Sequence, residues 1–331
     1  MASLASERVR AGTAGIGSPA RVPVVSVGNL AMGGRGKTPV VAAVARLLVD
    51  AGERPSILSR GYARRRAEDG VVVVSDGRHL FADVETAGDE PLMLARHLRG
   101  SGSGPGAAVL VYEVRSVAAA LAEERFGVSV HVLDDGFQHT SLRRDIDIVL
   151  VTSGDLRDRP LPFGRLRSSV SSLRHADTVI IEAGDDEART LLAPIIDARR
   201  TPIFGLERRL GAPVSLVPSA ADAPVGPDLP VVALAGIANP ARFVRALEAD
   251  GWSVADTVTF GDHHRYSRGD LERIARQAAG RFVLTTEKDA MRLLPLRPLP
   301  FRAAAVPLVA TITPGPEFAR WLRARVAEAR S

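Results

Sequence analysis

Cysteine is absent from this chain of 331 residues, and long apolar runs are absent as well. Without cysteine there is no disulfide framework, thiolate chemistry or zinc–thiolate site, which fits a cytoplasmic protein. No segment approaches the ~20 apolar residues that a membrane-spanning helix requires, and residues 1–20 lack the apolar centre of a secretory signal. We therefore expect a cytoplasmic protein that is soluble or attaches peripherally to a membrane.

Aromatic residues make up only 5% of the chain and are not interleaved with basic residues. Surfaces that bind nucleic acid stack bases on aromatic side chains, so we predict no nucleic-acid partner. The formal net charge is nevertheless +5, and the sequence pI is about 10.3. Because a basic protein attracts anions, the partners that remain are a phosphorylated substrate and an acidic membrane surface.

Lysine is rare in a chain that is otherwise rich in cations. Of the 43 Lys and Arg residues, only Lys37 and Lys288 are lysine. A compact ammonium group does what a planar guanidinium cannot easily do. We therefore expect a special role for Lys37 in a phosphate-binding loop, and Lys288 marks a second candidate site.

The clearest motif is a glycine-rich segment, here called the phosphate loop, between an apolar run and an amphipathic stretch. Its sequence is Gly28-Asn29-Leu30-Ala31-Met32-Gly33-Gly34-Arg35-Gly36-Lys37-Thr38. A strand, such a turn and a helix place loop amides and the positive helix terminus around an anion. Ala31 departs from the strict pattern, which has glycine there. We predict that the nucleotide is bound by Gly33, Gly34, Arg35, Gly36, Lys37 and Thr38.

Within that loop, Lys37 is predicted to reach the β- and γ-phosphates, and the Thr38 hydroxyl to hold Mg²⁺. An acidic motif follows a largely apolar run at residues 128–133, with the sequence Asp134-Asp135-Gly136-Phe137-Gln138-His139. Ligands of open α/β sheets bind at the carboxyl ends of strands. We therefore interpret Asp134 and Asp135 as further Mg²⁺ ligands, although Asp-Gly alone would indicate only a turn.

Strand and helix patterns alternate along both halves of the chain. This alternation predicts an α/β fold, a P-loop NTPase-like doubly wound parallel sheet (α/β/α) with a second, smaller α/β domain. We predict a short polar N-terminal segment (1–21), a nucleotide-binding domain (22–200), a short β linker (201–229) and a C-terminal domain (230–331). Helices are expected at 168–175 and 186–199.

Several acids at predicted helix starts have a simpler explanation. Asp89 precedes Glu and Pro, as N-cap residues do, and Thr286 with Asp289 forms a capping pattern. Ser267 with Asp270 forms another. Capping explains Asp289 but does not explain the neighbouring Lys288.

Seven segments together resemble the tetraacyldisaccharide 4′-kinases of lipid A synthesis. They are Gly28-Asn29, Gly33-Gly34-Arg35-Gly36-Lys37-Thr38-Pro39, Ser59-Arg60-Gly61-Tyr62, Gly88-Asp89-Glu90-Pro91, the acidic motif at 134–139, Asp262-His263-His264, and Thr286-Glu287-Lys288-Asp289-Ala290. The resemblance implies a peripheral kinase on the cytoplasmic face of the bacterial inner membrane. It would transfer the γ-phosphoryl group of ATP to the 4′-hydroxyl of tetraacyldisaccharide 1-phosphate, a lipid substrate, in a cleft between two domains.

The resemblance also implies an acid–base pair, Asp89 with a histidine of the Asp-His-His segment. A histidine suits this role because it titrates near neutral pH. His264 is our first candidate and His263 the second. Arginine suits phosphate, and further candidates for phosphate binding or support are Arg60, Arg115, His139, Arg167, Lys288 and Asp289.

The chain departs from the family's pattern in two places. Arg167-Ser168-Ser169 stands where the family usually has Arg-Glu-Pro, so an expected carboxylate is absent, and either its role is minor or Asp155 or Glu182 covers it. The segment before Val22 is short and polar where family members have an apolar helix that contacts the membrane. Either this chain lacks that membrane contact, or its true start lies upstream of Met1.

Two other functions compete with the kinase. A nucleotide-switch GTPase or ATPase would need Lys two residues before Asp for guanine recognition, but Lys288 directly precedes Asp289. A metal-dependent phosphoesterase could use the Asp-His-His segment with Asp134, Asp135 and His139 as ligands. It would leave the Gly-Lys-Thr loop unexplained.

Overall fold

The computed structural model describes residues 20–32, 36–61, 70–100, 104–137, 142–216, 226 and 228–331. The described residues form two compact units. The first runs to Glu207 and also contains Ala310–Ser331, whereas the second is Arg208–Val309. Predictions for residues 1–19 of the N-terminal segment and for Gly33, Gly34, Arg35 and His139 fall on residues outside this description.

The strands and helices follow one another in the α/β order that the sequence predicts. The strands are β1 (Val24–Asn29), β2 (Pro55–Ser59), β3 (Val72–Ser75), β4 (Ala108–Val111), β5 (Val130–Asp134), β6 (Ile146–Leu150), β7 (Thr178–Glu182), β8 (Ile203–Leu210), β9 (Val214–Ser215), β10 (Val231–Ala235), β11 (Val254–Thr259), β12 (Phe282–Thr286), β13 (Ala303–Val306) and β14 (Leu308–Thr313). The α-helices are α1 (Lys37–Asp50), α2 (Val84–Ala87), α3 (Asp89–His97), α4 (Arg115–Phe126), α5 (Ser153–Leu156), α6 (Asp186–Leu192), α7 (Pro240–Ala249), α8 (Arg268–Ala278), α9 (Glu287–Leu293) and α10 (Gly315–Glu328).

The first unit is built on a nine-stranded sheet with the order β14-β8-β7-β6-β1-β5-β2-β4-β3. The pairs from β8 through β4 are parallel, and β3 is antiparallel to β4. Every residue of β1 and β5 is buried, as expected for central parallel strands. Because β1 lies between β5 and β6, the phosphate loop and the acidic motif start from neighbouring strands. The sheet confirms the predicted fold class.

The register of β1 and β5 brings the two motifs to the same edge of the sheet. Val27 pairs with Asp134, and Gly28 lies against the segment that follows β5. A Cβ on Gly28 would stand 2.5 Å from Phe137 Cβ, which is closer than packed carbon atoms can approach. Glycine at this position therefore lets the start of the phosphate loop pass directly beside the acidic motif.

The second unit has its own five-stranded sheet with the order β11-β10-β12-β13-β9. Four of its strands are parallel and β9 is antiparallel to β13. Its core contains Phe243, Leu247, Trp252 and Leu284. The N-terminus of α8 has the predicted capping box, in which Ser267 and Asp270 exchange hydrogen bonds.

The structure differs from the predicted boundaries at the C-terminus. The sequence predicts residues 310–331 as part of the second domain, but they belong to the first unit, where Phe318 packs edge-on against Phe204 with ring centroids 5.0 Å apart. Residues 203–210, predicted as part of the linker, form β8 of the large sheet. The reason is tertiary packing: the local pattern of a strand or helix does not specify which sheet it joins.

Two helices are also shorter than predicted. The segment 168–175 contains only a 3-10 helix at Val170–His175, and the helix expected at 186–199 ends at Leu192. Among the helices that the structure describes, none is both long and apolar enough to cross a membrane.

Candidate active site

The phosphate loop joins a buried strand to a helix in the predicted way. Gly36 takes a left-handed conformation, with φ of +70°, directly before α1. That conformation suits glycine, and no side chain caps the helix. The first turn of α1 contains no acidic residue, and its Thr38 is buried. A helix N-terminus of this kind favours an anion.

Asn29, the last residue of β1, organises the cations beside the loop. Its Oδ1 accepts hydrogen bonds from Lys37 Nζ at 2.9 Å and from Arg167 Nη2 at 2.6 Å. Lys37 Nζ also lies 3.2 Å from Asp135 Oδ1. The structure therefore brings Lys37, Arg167 and Asp135, which are far apart in sequence, into one polar network.

Asp135 is the carboxylate of this network. Its φ of +60° turns the backbone away from the direction of β5. Arg167 donates a hydrogen bond of 2.8 Å to each of its two carboxylate oxygens. Burial alone would raise the pKa of Asp135, but the hydrogen bonds and charges of Arg167 and Lys37 hold it below its ordinary value. Asp135 is thus ionised and already paired on both oxygens.

Asp134 has the opposite electrostatic character, although it is the adjacent residue. It ends β5 and is buried. Burial, together with the negative charges of Glu90 and Asp135, raises its pKa to about 7, against the opposing charges of Lys37 and Arg115. A carboxyl group perturbed in this way beside a phosphate loop indicates a functional site.

Asp89 and Glu90 begin α3 in the same unit. Asp89 is buried, and its Oδ1 accepts a hydrogen bond from the Glu90 amide at 3.0 Å. The N-cap position belongs to Gly88, whose φ is +86°, and no side chain caps the helix. The alternative explanation of Asp89 as an N-cap residue is therefore wrong, because the helix already begins at Asp89.

Two of the predicted arginines share the electrostatic environment of the acidic motif. Arg115 begins α4 and is buried. Burial lowers its pKa and the charge of Arg60 adds to this effect, whereas Asp134 and Asp135 oppose it. A buried guanidinium near two acids is a positive charge at a fixed position, and phosphate binding by Arg115 stays a prediction.

The Asp-His-His segment lies in the second unit. His263 has a φ of +55°, and its amide donates to Asp262 Oδ1 at 3.0 Å. His264 stacks on Phe260 with ring centroids 4.3 Å apart, and its Nε2 lies 3.2 Å from Asp270 Oδ2. His264 is therefore oriented by contacts within its own unit.

Asp289 is buried in the second unit and has a structural set of partners. Its carboxylate accepts hydrogen bonds from the Tyr266 hydroxyl at 2.7 Å, the Gly236 amide at 3.0 Å and the Thr286 hydroxyl at 2.6 Å. Arg292 lies 3.4 Å away. Thr286 also caps α9 as the sequence predicts. These contacts join the end of β10, the segment after Asp262 and the start of α9. Lys288 remains a prediction.

Comparison with known proteins identifies the family. The family model described as "Tetraacyldisaccharide-1-P 4'-kinase" matches residues 3–327. The chain belongs to this family. A tetraacyldisaccharide 4′-kinase of Anaeromyxobacter dehalogenans strain 2CP-C is 42% identical over 296 residues, covering 83% of this chain and 74% of that relative. One from Syntrophus aciditrophicus is 37% identical over 321 residues, covering 89% and 82%.

A solved structure of a family member also matches this kinase. It is described as the "apo" form of LpxK from Aquifex aeolicus in complex with ATP, with a TM-score of 0.72 and 32% identity. The match covers 92% of this chain and 88% of that one. The predicted family and the phosphotransferase class are confirmed. Neither the nucleotide switch nor the phosphoesterase is supported.

The residues around the phosphate loop fit Mg²⁺ in chemical terms. The ion prefers oxygen ligands and retains several waters, so a few protein oxygens with nucleotide phosphates suffice. The Thr38 hydroxyl and the Asp134 and Asp135 carboxylates are ligands of that kind. The described part of the chain has no cluster of three or more His, Cys, Asp and Glu side chains that could hold a metal without phosphate.

Two residues of this site were missing from the sequence-based assignment. In the sequence, Asn29 is only one residue of a motif and Glu90 is only the residue after Asp89. An asparagine at the end of the apolar strand that precedes Gly-Lys-Thr is a sequence signal that could have indicated Asn29. No local signal indicates Glu90, because its influence on Asp134 depends on α3 and β5 lying near each other. Of the two acids proposed to replace the family's missing carboxylate, Asp155 is engaged in the capping box of α5 with Thr152.

Proposed function

We propose that this family member transfers the γ-phosphoryl group of ATP to the 4′-hydroxyl of tetraacyldisaccharide 1-phosphate, the lipid A precursor. The observation that carries the proposal is the joint placement of the phosphate loop and the acidic motif at neighbouring strand ends, through the pairing of Val27 with Asp134. Phosphoryl transfer needs the nucleotide phosphates and the neutralising charges in one place. This arrangement supplies both.

The phosphate loop is the nucleotide side of the proposal. Backbone amides of residues 33–38 and the start of α1 bind the triphosphate, and Lys37 places its ammonium group on the transferred end. Asn29 Oδ1 accepts a hydrogen bond from that ammonium group and holds it in place. Arg115 and Arg60 add positive charge near the acidic motif, where negative charge on the phosphoryl group develops.

In this proposal Thr38 and Asp134 would hold the magnesium ion, and Asp135 supports the site without ligating it directly. The ion, when bound, neutralises phosphate charge and orients the triphosphate. Arg167 donates hydrogen bonds to both oxygens of Asp135. The carboxyl group of Asp134 is instead influenced by the charges of Glu90 and Lys37, which shift its pKa in opposite directions. We therefore assign Asp134 as a direct ligand. Asp135 holds Arg167 and Lys37 in position and orients waters around the ion.

The acceptor hydroxyl must lose a proton, and we assign this step to Asp89 with His264 or His263. Carboxylate and imidazole groups are both suited to accept a proton from an alcohol. His264 is held by Asp270 and Phe260 within its unit, which fixes its ring orientation. Substitution of each histidine separately decides which one accepts the proton.

The acceptor lipid also implies where the enzyme works. We propose that it acts at the cytoplasmic face of the bacterial inner membrane as a peripheral protein. The basic character of the chain supports this, because the cytoplasmic leaflet carries anionic lipids that attract arginine.

The test is a transfer assay with γ-labelled ATP, Mg²⁺ and tetraacyldisaccharide 1-phosphate in detergent. We expect label in the lipid, and we expect Lys37→Ala to abolish nearly all of it while weakening nucleotide binding. Arg200→Ala, which removes an exposed cation of the same unit, is the matched control and should retain full activity. Absence of labelled lipid at high enzyme concentration would refute the proposed reaction.

A further inference from the structure

A short loop beside the phosphate loop exposes apolar side chains to solvent. We call residues 158–166 the Phe163 loop. In the part of the chain that the structure describes, Phe163 is the most exposed large apolar side chain, at 84%, and Leu161 of the same loop is exposed at 51%. Met32, in the phosphate loop, is exposed at 55%. Exposed apolar groups that lie together indicate an interaction surface.

Backbone hydrogen bonds fix this surface against the phosphate loop. The Met32 amide donates to the Arg165 carbonyl at 2.8 Å, and the Arg167 amide donates to the Leu30 carbonyl at 2.7 Å. Within the Phe163 loop, the Leu161 amide donates to the Leu166 carbonyl at 2.9 Å. Leu161, Phe163 and Met32 are therefore carried on two connected segments.

Further contacts make the Phe163 loop a defined structure. Asp158 accepts from Arg165 Nε at 2.9 Å and from the Arg159 amide at 2.8 Å. Leu166 is buried in the core below, whereas a Cβ on Gly164 would collide with the Arg159 carbonyl and the Asp158 carboxylate. These contacts brace the loop below its exposed tip, which reduces the conformational entropy lost when the tip binds a partner.

The charges around the tip indicate the nature of that partner. Residues 157–167 contain four arginines and one acid, and Arg159 and Arg165 are exposed on the loop itself. Apolar side chains surrounded by arginine match a surface with anionic head groups above an apolar interior. A second copy of this chain fits poorly, because a two-fold contact would bring the arginines of one copy against those of the other.

We propose that the Phe163 loop and Met32 form the surface by which this kinase docks on an anionic lipid bilayer. Phe163 and Leu161 enter the boundary between head groups and acyl chains, and Arg159 and Arg165 contact the lipid phosphates. The inference rests on the proposed function, because an acceptor with four acyl chains resides in a lipid surface. Docking at this point places the phosphate loop next to the membrane, where the acceptor head group is presented.

The first test measures binding of the full chain to vesicles by flotation. We expect the protein to float with vesicles of phosphatidylcholine and phosphatidylglycerol, and Leu161→Ser/Phe163→Ser to weaken the partition coefficient about tenfold or more. Leu229→Ser, which removes a side chain exposed at 62% in the second unit, is the matched control and should change it less than about twofold. Arg159→Gln should weaken binding to anionic vesicles severalfold without affecting phosphatidylcholine vesicles.

A second measurement reports insertion directly. Phe163→Trp should be quenched by brominated lipids, whereas Leu229→Trp should not. The proposal is overturned if the unmodified protein does not bind anionic vesicles, if the double variant binds them equally well, or if both tryptophans are quenched alike. A partner protein in place of the bilayer would produce the first of these results.

A third measurement separates the bilayer from the acyl chains of the acceptor. The double variant should phosphorylate acceptor in detergent micelles at the normal rate but be several times slower on acceptor embedded in vesicles. An equal loss in micelles and vesicles would overturn bilayer docking, because the residues would then contact the acceptor itself. If no form of the protein phosphorylates the lipid, the proposed function fails, while vesicle binding and quenching still decide the docking surface.

Discussion

Replacing Asp289 with alanine will destabilise the second unit strongly. The carboxylate is buried and accepts hydrogen bonds from the Gly236 amide and from the Tyr266 and Thr286 hydroxyls, with Arg292 at 3.4 Å. Alanine leaves the amide and the Tyr266 hydroxyl without this acceptor. Removing one partner of a buried ionic group costs about 3–5 kcal/mol, so we expect a loss of about that size.

Asparagine at position 289 separates the loss of charge from the loss of shape. Its carbonyl oxygen can still accept from Tyr266, but its amide group would then face the Gly236 amide, and two donors would oppose each other. We expect Asp289→Asn to cost about 2–3 kcal/mol, because one buried donor then lacks an acceptor and Arg292 loses its counter-charge. The alanine variant should be less stable than the asparagine variant.

The assay must report the second unit alone, since a chain with two units need not unfold in one step. The chain has two tryptophans, and Trp252 is buried in the core of the second unit whereas Trp321 belongs to the first. In a Trp321→Phe background, Trp252 fluorescence during urea unfolding follows the second unit. Asp250→Ala, an exposed acid of the same unit, is the control and should change stability by less than about 0.5 kcal/mol. A loss below about 1 kcal/mol for Asp289→Ala would refute this interpretation of the network.

Three further predictions concern the first unit. The pKa of Asp134 is raised to about 7 in the folded protein, so the folded state binds this proton more tightly than the unfolded state, and the free energy of unfolding falls as pH rises from about 4 to 7. In metal-free protein, Asp134→Asn should therefore raise the free energy of unfolding by about 2–4 kcal/mol at pH 8 and by clearly less at pH 5, as measured by urea titration. An equal gain at both pH values would contradict the assigned cause. Asp89→Asn should lower kcat about 10²–10⁴-fold with unchanged ATP affinity, and an unchanged kcat in the lipid assay would remove Asp89 from the mechanism. Gly28→Ala should destabilise by about 1–3 kcal/mol in thermal unfolding because of the contact with Phe137, whereas Gly104→Ala, where a Cβ meets nothing within 4 Å, should not.

Features set by neighbouring residues could be predicted from the sequence. The phosphate loop depends on glycines, Lys37 and Thr38 within a few positions, and the capping box of Ser267 and Asp270 spans three residues. Strand β5 is recognisable because three of its five residues are apolar, in a run typical of a central parallel strand. In each case the physical cause acts over one turn of helix or along one strand, so the local pattern is sufficient.

Features that depend on the packing of distant segments could not be predicted in this way. Asn29 and Arg167 are separated by 138 positions, yet they form a hydrogen bond of 2.6 Å. The apolar spacing of Phe318, Leu322 and Val326 is typical of a helix, and α10 is such a helix. Nothing in that spacing specifies the sheet against which it packs, which is why residues 310–331 were assigned to the wrong unit.

The acidic motif shows why a motif does not assign a role to each of its residues. The sequence treats Asp134 and Asp135 as equivalent Mg²⁺ ligands, but they face different surroundings. Asp134 ends a buried strand, where desolvation and Glu90 raise its pKa, whereas Asp135 turns out of the strand and pairs with Arg167 and Lys37, which lower its pKa. A carboxylate already bound on both oxygens is suited to positioning cations, and its buried neighbour is suited to ligating an ion. This division of roles follows from the change in backbone direction after Asp134, which residue types alone do not encode.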